Sequence, residues 1–279
     1  MTTTISTLDF AAIKSRQQQS WATGDYGMIG TSLLIISERL CEAVDLRAGQ
    51  KVLDVATGHG NTALAAARRF CTVIGVDYVP ALLERGWERA SVEHLPVSFQ
   101  EGDAEALPFR DATFDVVLST QGVMFAPNHA QTARELLRVC RPGGKIGLAN
   151  WTPDGFIGDI FRTVARHMPP QAPLTPATLW GSEAYLRKLF SGAISDLQAT
   201  RRNFVFRYPS PQDWISFFRE YYGPLARAFA ALDPAGQDAL NRDLLARIAW
   251  HNRSGDATMV VPAEYLEAVA TRAGSGWDA

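Results

Sequence analysis

Cysteine is scarce in this sequence: three residues in 279, Cys41, Cys71 and Cys140, each alone within an apolar or helical run. No pair has the spacing of a metal site or of a disulfide framework, so the expectation is buried thiols in a reducing compartment and no metal centre. Long apolar runs are missing as well. No stretch approaches the roughly 18 uninterrupted apolar residues of a spanning helix, and the first residues are polar, without the apolar core of a signal peptide. A soluble, cytoplasmic protein with no membrane partner is expected. An excess of either charge is also absent: 27 Lys and Arg face 29 Asp and Glu, a net −2. Without a basic run there is no electrostatic footprint for nucleic acid, which leaves small molecules as partners. Monomer and homodimer are both open.

What is present is organised around Val52–Asn61, Val-Leu-Asp-Val-Ala-Thr-Gly-His-Gly-Asn. A nearly continuous apolar run, interrupted by Asp54, enters a loop with glycine at 58 and 60, and an alanine-rich helical run from Thr62 to Phe70 follows. The pattern reads as strand, tight loop and helix. Strand-like runs then alternate with helical ones: Cys71–Val76, Pro80–Glu93, Val97–Gln100, Phe114–Ser119, Gln131–Arg141 and Lys145–Asn150, the last after a Pro142-Gly143-Gly144 turn. Such alternation requires crossovers, hence an α/β, doubly wound, mostly parallel sheet with helices on both faces. Ahead of it, residues 1–45 read as a helical arm, weakly patterned over Leu8–Gln19, then an aromatic glycine-rich loop at Trp21–Gly30 and a helix over about Thr31–Val44. Residues 46–152 form the core. Residues 153–279 add helices at Phe156–His167 and Ser182–Phe190, a strand at Leu197–Tyr208, a helical cap over about 211–251 and a strand within Met259–Thr271. The whole is read as one domain, the cap being inserted between its last strands.

Ligands of open α/β sheets bind beyond the carboxyl ends of the strands. Four loops leave such ends here. The first is Ala56–Asn61. The second carries Asp77, 19 residues after Gly58, where a carboxylate can accept from both ribose hydroxyls. On the third, Asp103 can accept from a purine amine while the Ala104 NH donates to a ring nitrogen. The fourth is Ser119-Thr120-Gln121-Gly122. Together they describe a nucleoside site. Gly58-His-Gly60-Asn-Thr-Ala63 also satisfies the G-x-G-x-x-A form of a dinucleotide fingerprint, which keeps an NAD-dependent oxidoreductase as an alternative. Asp54 weighs against it, because a carboxylate there suits an ammonium-bearing ligand and repels a pyrophosphate.

Val52–Asn61, Gly75-Val-Asp77, Gly102-Asp-Ala-Glu-Ala-Leu-Pro-Phe109, Phe114–Ser119 and Leu136–Gly144 lie in order over about residues 45–150. As a set they resemble the class I S-adenosylmethionine-dependent methyltransferases, within them the small-molecule branch related to ubiquinone and menaquinone C-methyltransferases. The departure is His59, where the family often has a small residue. The resemblance implies a seven-stranded Rossmann-like sheet with an antiparallel last strand, S-adenosyl-L-methionine as cofactor and S-adenosyl-L-homocysteine as product. It implies that Asp54 and the backbone of Ala56, Thr57, Gly58 and Gly60 hold the methionine part, Asp77 the ribose, and Asp103 with Ala104 the adenine. Thr120 and Gln121 would flank the methionine part from the other side, and Tyr26 would be a lid residue. Asn61, Tyr78 and Glu105 complete the expected set.

Methyl transfer from a sulfonium is an in-line displacement that needs alignment, water exclusion and, for an OH or NH acceptor, a proton sink. His129 is the candidate base, the alternative being a histidine that positions the next helix; His251 is a second candidate. Met124, Phe125, Trp151, Phe156, Phe218, Tyr221 and Tyr222 are expected to line an acceptor pocket, a set that favours a flat, aromatic or quinone-like molecule methylated at carbon, oxygen or nitrogen. A homologue that binds the cofactor without transferring its methyl group would carry the same motifs.

Overall fold

The computed structural model describes residues 8–169 and 174–274. Its centre is a seven-stranded sheet. The chain enters through α1 (Phe10–Trp21), α2 (Tyr26–Ser32) and α3 (Leu34–Ala43), then alternates β1 (Lys51–Val55), α4 (Asn61–Ala67), β2 (Thr72–Asp77), α5 (Pro80–Val92) and β3 (Val97–Glu101). It continues through β4 (Phe114–Thr120), α6 (His129–Val139), β5 (Cys140–Trp151), α7 (Phe156–His167), α8 (Glu183–Leu189) and β6 (Ile194–Tyr208). Three helices, α9 (Pro211–Tyr221), α10 (Gly223–Ala230) and α11 (Pro234–His251), precede β7 (Met259–Arg272).

Strand order is β3-β2-β1-β4-β5-β7-β6. β1 to β5 are parallel to their neighbours, and β7 runs antiparallel between β5 and β6. Order reverses between β1 and β4, whose adjacent carboxyl ends open the crevice where ligands of such sheets bind. β1 is buried at Val52–Val55 and α4 from Thr62 to Ala67. That is why both read as apolar on every face. The three cysteines are buried and free, and among the described residues no helix is long and apolar enough to cross a membrane.

Three local expectations are corrected. The aromatic loop at 21–30 is largely helical: Asp25 caps α2 by accepting from the Gly27 amide at 3.0 Å. Pro142-Gly143-Gly144 is no turn before β5 but lies inside it, where pairing with β4 shifts register. The helical run 211–231 is two helices, broken at Tyr222 because Pro224 opens α10.

Candidate active site

At the end of β1 the backbone turns sharply. Ala56 sits at φ +53° and Gly58 at +55°, left-handed values that a non-glycine residue adopts at some cost. Asp54, 1% exposed, braces this turn: its Oδ2 accepts from Thr57 Oγ1 at 2.5 Å and from the Ala63 amide at 2.9 Å. Asp77, 5% exposed, accepts from the Gly58 amide at 2.8 Å and the Val79 amide at 3.0 Å. Burial pushes the Asp54 carboxyl up to about 7 against the pull of those hydrogen bonds, and the Asp77 charge adds to the rise. Burial likewise lifts Asp77 to about 6, again opposed by backbone amides. Among the described residues neither carboxylate has a cation partner, a pairing whose electrostatics suit a cationic ligand.

A first cavity lies over this turn. Tyr26, Asp54, Ala56, Thr57, Gly58, Asn61, Asp77, Tyr78, Asp103, Ala104, Thr120 and Gln121 all line it. A Cβ added at Gly58 meets nothing within 4 Å, since that backbone faces open space. Two expected residues do not reach it. Gly60 (φ +89°) turns instead toward Phe99, whose ring a Cβ would meet at 2.8 Å, so this glycine serves packing. Glu105 is withdrawn from the cavity: its Oε1 accepts from the Asn128 amide at 2.8 Å and its Oε2 lies 3.1 Å from Lys14 Nζ.

Lys14 is the residue sequence reading missed. It stands on α1 and bonds Asp103 as well as Glu105, two carboxylates that outweigh its partial burial and hold its ammonium pKa above the usual value. Gln18 of the same helix donates to the Tyr78 carbonyl, and Gln17 to the Phe125 carbonyl at 3.2 Å. Trp21 ends the helix against Tyr26, Phe125 and Tyr222. Thus α1 lies across the mouth of the cavity by its polar face. The available signal was the spacing of Lys14, Gln17, Gln18 and Trp21, three to four apart on one side of a helix. His59 was noted only as a departure. It lines the cavity 3% exposed, with Nε2 unpartnered, and burial together with the Arg89 and Arg85 charges lowers it to about 3.

A second cavity of about 480 Å³ opens beside the first. Both are lined by Gln17, Trp21, Tyr26, Leu33, Gln121 and Phe125. Beyond this shared wall the second is apolar, with Trp151, Ile157, Ile160, Phe161, Phe206, Trp214, Phe218 and Tyr222 among its residues. Of the expected acceptor residues, Phe125, Trp151, Phe218 and Tyr222 line it. Met124, Phe156 and Tyr221 do not. Met124 and Phe156 are buried core, the latter packed on Phe206 and Trp214; on α7 it is Ile157, Ile160 and Phe161 that face the cavity. Tyr221 ends α9 and packs on Phe217 outside it.

Neither histidine is placed to act as a base. His129 opens α6 with its Nδ1 2.9 Å from the Tyr185 hydroxyl and its ring against Trp180; burial lowers its pKa to about 4, and it lines neither cavity. His251 ends α11 and bonds Asp159 at 2.7 Å, tying α11 to α7 away from both cavities. Among the described residues, the titratable groups lining the second cavity are Tyr26 and Tyr222. Burial raises the phenol of Tyr26 to about 12, with the Asp77 charge adding to it, and burial raises that of Tyr222 further.

A family model described as a methyltransferase domain matches residues 53–148. An uncharacterised protein of Mycobacterium tuberculosis is 40% identical over 235 residues, which cover 83% of this chain and 86% of its own. A demethylmenaquinone methyltransferase of Deinococcus radiodurans is 34% identical over 141 residues, 49% of this chain and 58% of its own. Among solved structures, the YcgJ protein of a Bacillus species superposes with a TM-score of 0.60 at 20% identity, over 88% of this chain and all of that one, which speaks for the fold.

Proposed function

We propose, for a chain that belongs to the class I S-adenosylmethionine-dependent methyltransferases, that it methylates a small, flat, apolar acceptor, aromatic or quinone-like, held in the second cavity. The carrying observation is the wall that the two cavities share at Gln17, Trp21, Tyr26, Leu33, Gln121 and Phe125. In this reading the two ligands lie side by side where the linings adjoin, as a methyl donor and its acceptor must.

S-adenosylmethionine supplies the activated methyl group on a sulfonium. The chain's residues fit it: two buried carboxylates suit a cation, and the open backbone at Gly58 leaves room for a close approach. In this reading Asp54, with the backbone of Ala56 to Gly58, holds the amino acid part. Asp77 keeps one bond per oxygen to the backbone and accepts the ribose hydroxyls with the remaining lone pairs. Asp103 and Ala104 meet the adenine, Thr120 and Gln121 flank the methionine part, Asn61 and Tyr78 line the wall, and Tyr26 closes over it.

On the acceptor side the chain orients and excludes water. Trp151, Phe206, Trp214 and Phe218 give flat apolar faces. Tyr26 and Tyr222, protonated at neutral pH, donate hydrogen bonds rather than remove protons. This favours neutral, electron-rich enols and phenols that attack through a ring carbon and afterwards lose their proton to solvent rather than to a side chain. The test is transfer of labelled methyl from S-adenosylmethionine to a panel of quinols and phenols against hydrophilic amines. Transfer to the aromatic members is expected, and label appearing only on hydrophilic amines would overturn the reading.

A further inference from the structure

The wall between the cavities carries two buried amide atoms with no partner among the described residues. Gln121 is 6% exposed and its Nε2 makes no hydrogen bond; Gln17 spends its Nε2 on the Phe125 carbonyl and leaves its Oε1 unbonded. Buried polar atoms are nearly always satisfied, and those that are not mark a strained spot or a place for a ligand group. Both residues line both cavities. The backbone at Gln121 sits at φ +46°, a left-handed value that costs energy outside glycine, and is held there by its amide bonding the Ala149 carbonyl at 2.8 Å. The backbone that carries this side chain is therefore fixed at the end of β4, whereas Gln17 arrives on α1.

We infer that Gln121 and Gln17 form a neutral amide clamp that reads a hydroxyl on the acceptor, Gln121 Nε2 donating to its oxygen and Gln17 Oε1 accepting its proton. This rests on the proposed acceptor role of the second cavity and narrows it. One donor and one acceptor match a hydroxyl, which offers both, while Leu33 and Phe125 beside them in the shared wall offer only apolar contact. The acceptor is then a ring system bearing a hydroxyl beside the position that meets the methyl group, not a plain hydrocarbon or a charged molecule. A loss of the hydroxyl leaves both amides unpaired, the arrangement from which strong discrimination arises.

The probes are 1-naphthol and naphthalene, which differ by one hydroxyl, with binding read by quenching of the tryptophans that line the cavity, Trp21, Trp151 and Trp214. The full chain saturated with S-adenosylhomocysteine should bind the naphthol about tenfold more tightly, as expected for hydrogen bonds to otherwise unpaired buried groups. In Gln121→Met and, separately, in Gln17→Met, each saturated with S-adenosylhomocysteine, that ratio should fall toward unity. Gln17 lies half-buried on a helix where methionine is well tolerated, so this variant carries the test if the other does not fold. An unchanged ratio in a folded variant, or equal binding of the two probes by the parent, overturns the clamp and leaves the acceptor cavity standing. Binding of neither probe overturns the cavity's assignment and the clamp with it.

Discussion

Asp54 and Asp77 are where a single residue decides most. Their side chains were legible because each sits at a strand end beside a glycine-bearing loop, and the fold leaves little else for a buried carboxylate there to do. In the absence of ligand both are costly: their values of about 7 and about 6 lie above the 3.8 of an exposed aspartate. Between about pH 4 and pH 7 the folded chain thus holds more protons than the unfolded one, so these two groups make stability fall as pH rises through that window. A bound cation reverses the preference by favouring the ionised forms. Cofactor affinity should accordingly rise from pH 5.5 to pH 8, roughly across the two values, and binding at pH 6.5, about midway between them, should release protons. Calorimetry in two buffers of different ionisation enthalpy reads that release directly, and equal heats in both would count against it. Asp77→Ala should weaken cofactor binding by about 1.5–3 kcal/mol if the carboxylate takes the ribose hydroxyls; unchanged affinity would mean the ribose lies elsewhere. Met124, Phe156 and Tyr221 were less legible. An aromatic in a helix shows its type in the sequence but not its rotation, and on α7 the cavity-facing positions begin one residue later.

At the scale of elements, α1 was visible as a helix and invisible as part of the site. The search for an apolar stripe looks for the face a helix buries, whereas α1 applies its polar face, Lys14, Gln17 and Gln18, to the cavity mouth and buries Ile13 alone. Lys14→Ala removes the contact to Asp103 and Glu105, side chains from about one-third exposed to nearly buried. Amide exchange within α1 should then accelerate by about fivefold, the scale of a partly solvated ion pair, and high salt should erase the difference by screening. If α1 exchanges at the parental rate, the helix is held by its other contacts. Gly223-Pro224 separates α9 from α10, a break that reading 211–231 as one helical run passes over, and its structural reason is severe. A Cβ at Gly223 would stand 2.0 Å from the Ser20 carbonyl oxygen at the end of α1. Gly223→Ala should therefore force α10 away from α1 and cost about 1–3 kcal/mol, the range for overpacking, measurable by thermal denaturation. An unaffected midpoint would mean the two helices are not in register contact.

For the molecule as a whole, the parallel half was the readable part, since continuous apolar strands, crossover helices and strand-end loops follow one another over about a hundred residues with short connections. The second half was harder, because β6 and β7 are distant in sequence and pair only after three helices have been inserted between them. That insertion brings Trp214, Phe218 and Tyr222 to the second cavity, beside the one at the ends of β1 and β4, so the proposed acceptor and cofactor walls are expected to unfold together. Ligand binding should therefore raise the unfolding temperature of the entire chain, not melt a subdomain separately. At about 100 times its dissociation constant S-adenosylmethionine should stabilise the fold by about 2.7 kcal/mol, a shift of about 5 °C for a chain of this size. Differential scanning calorimetry should show one transition that moves as a whole. NAD at the same concentration should leave it in place, because Asp54 repels a pyrophosphate. Two transitions, of which only one responds, would separate the cap from the core and require the acceptor and cofactor walls to be treated as independent.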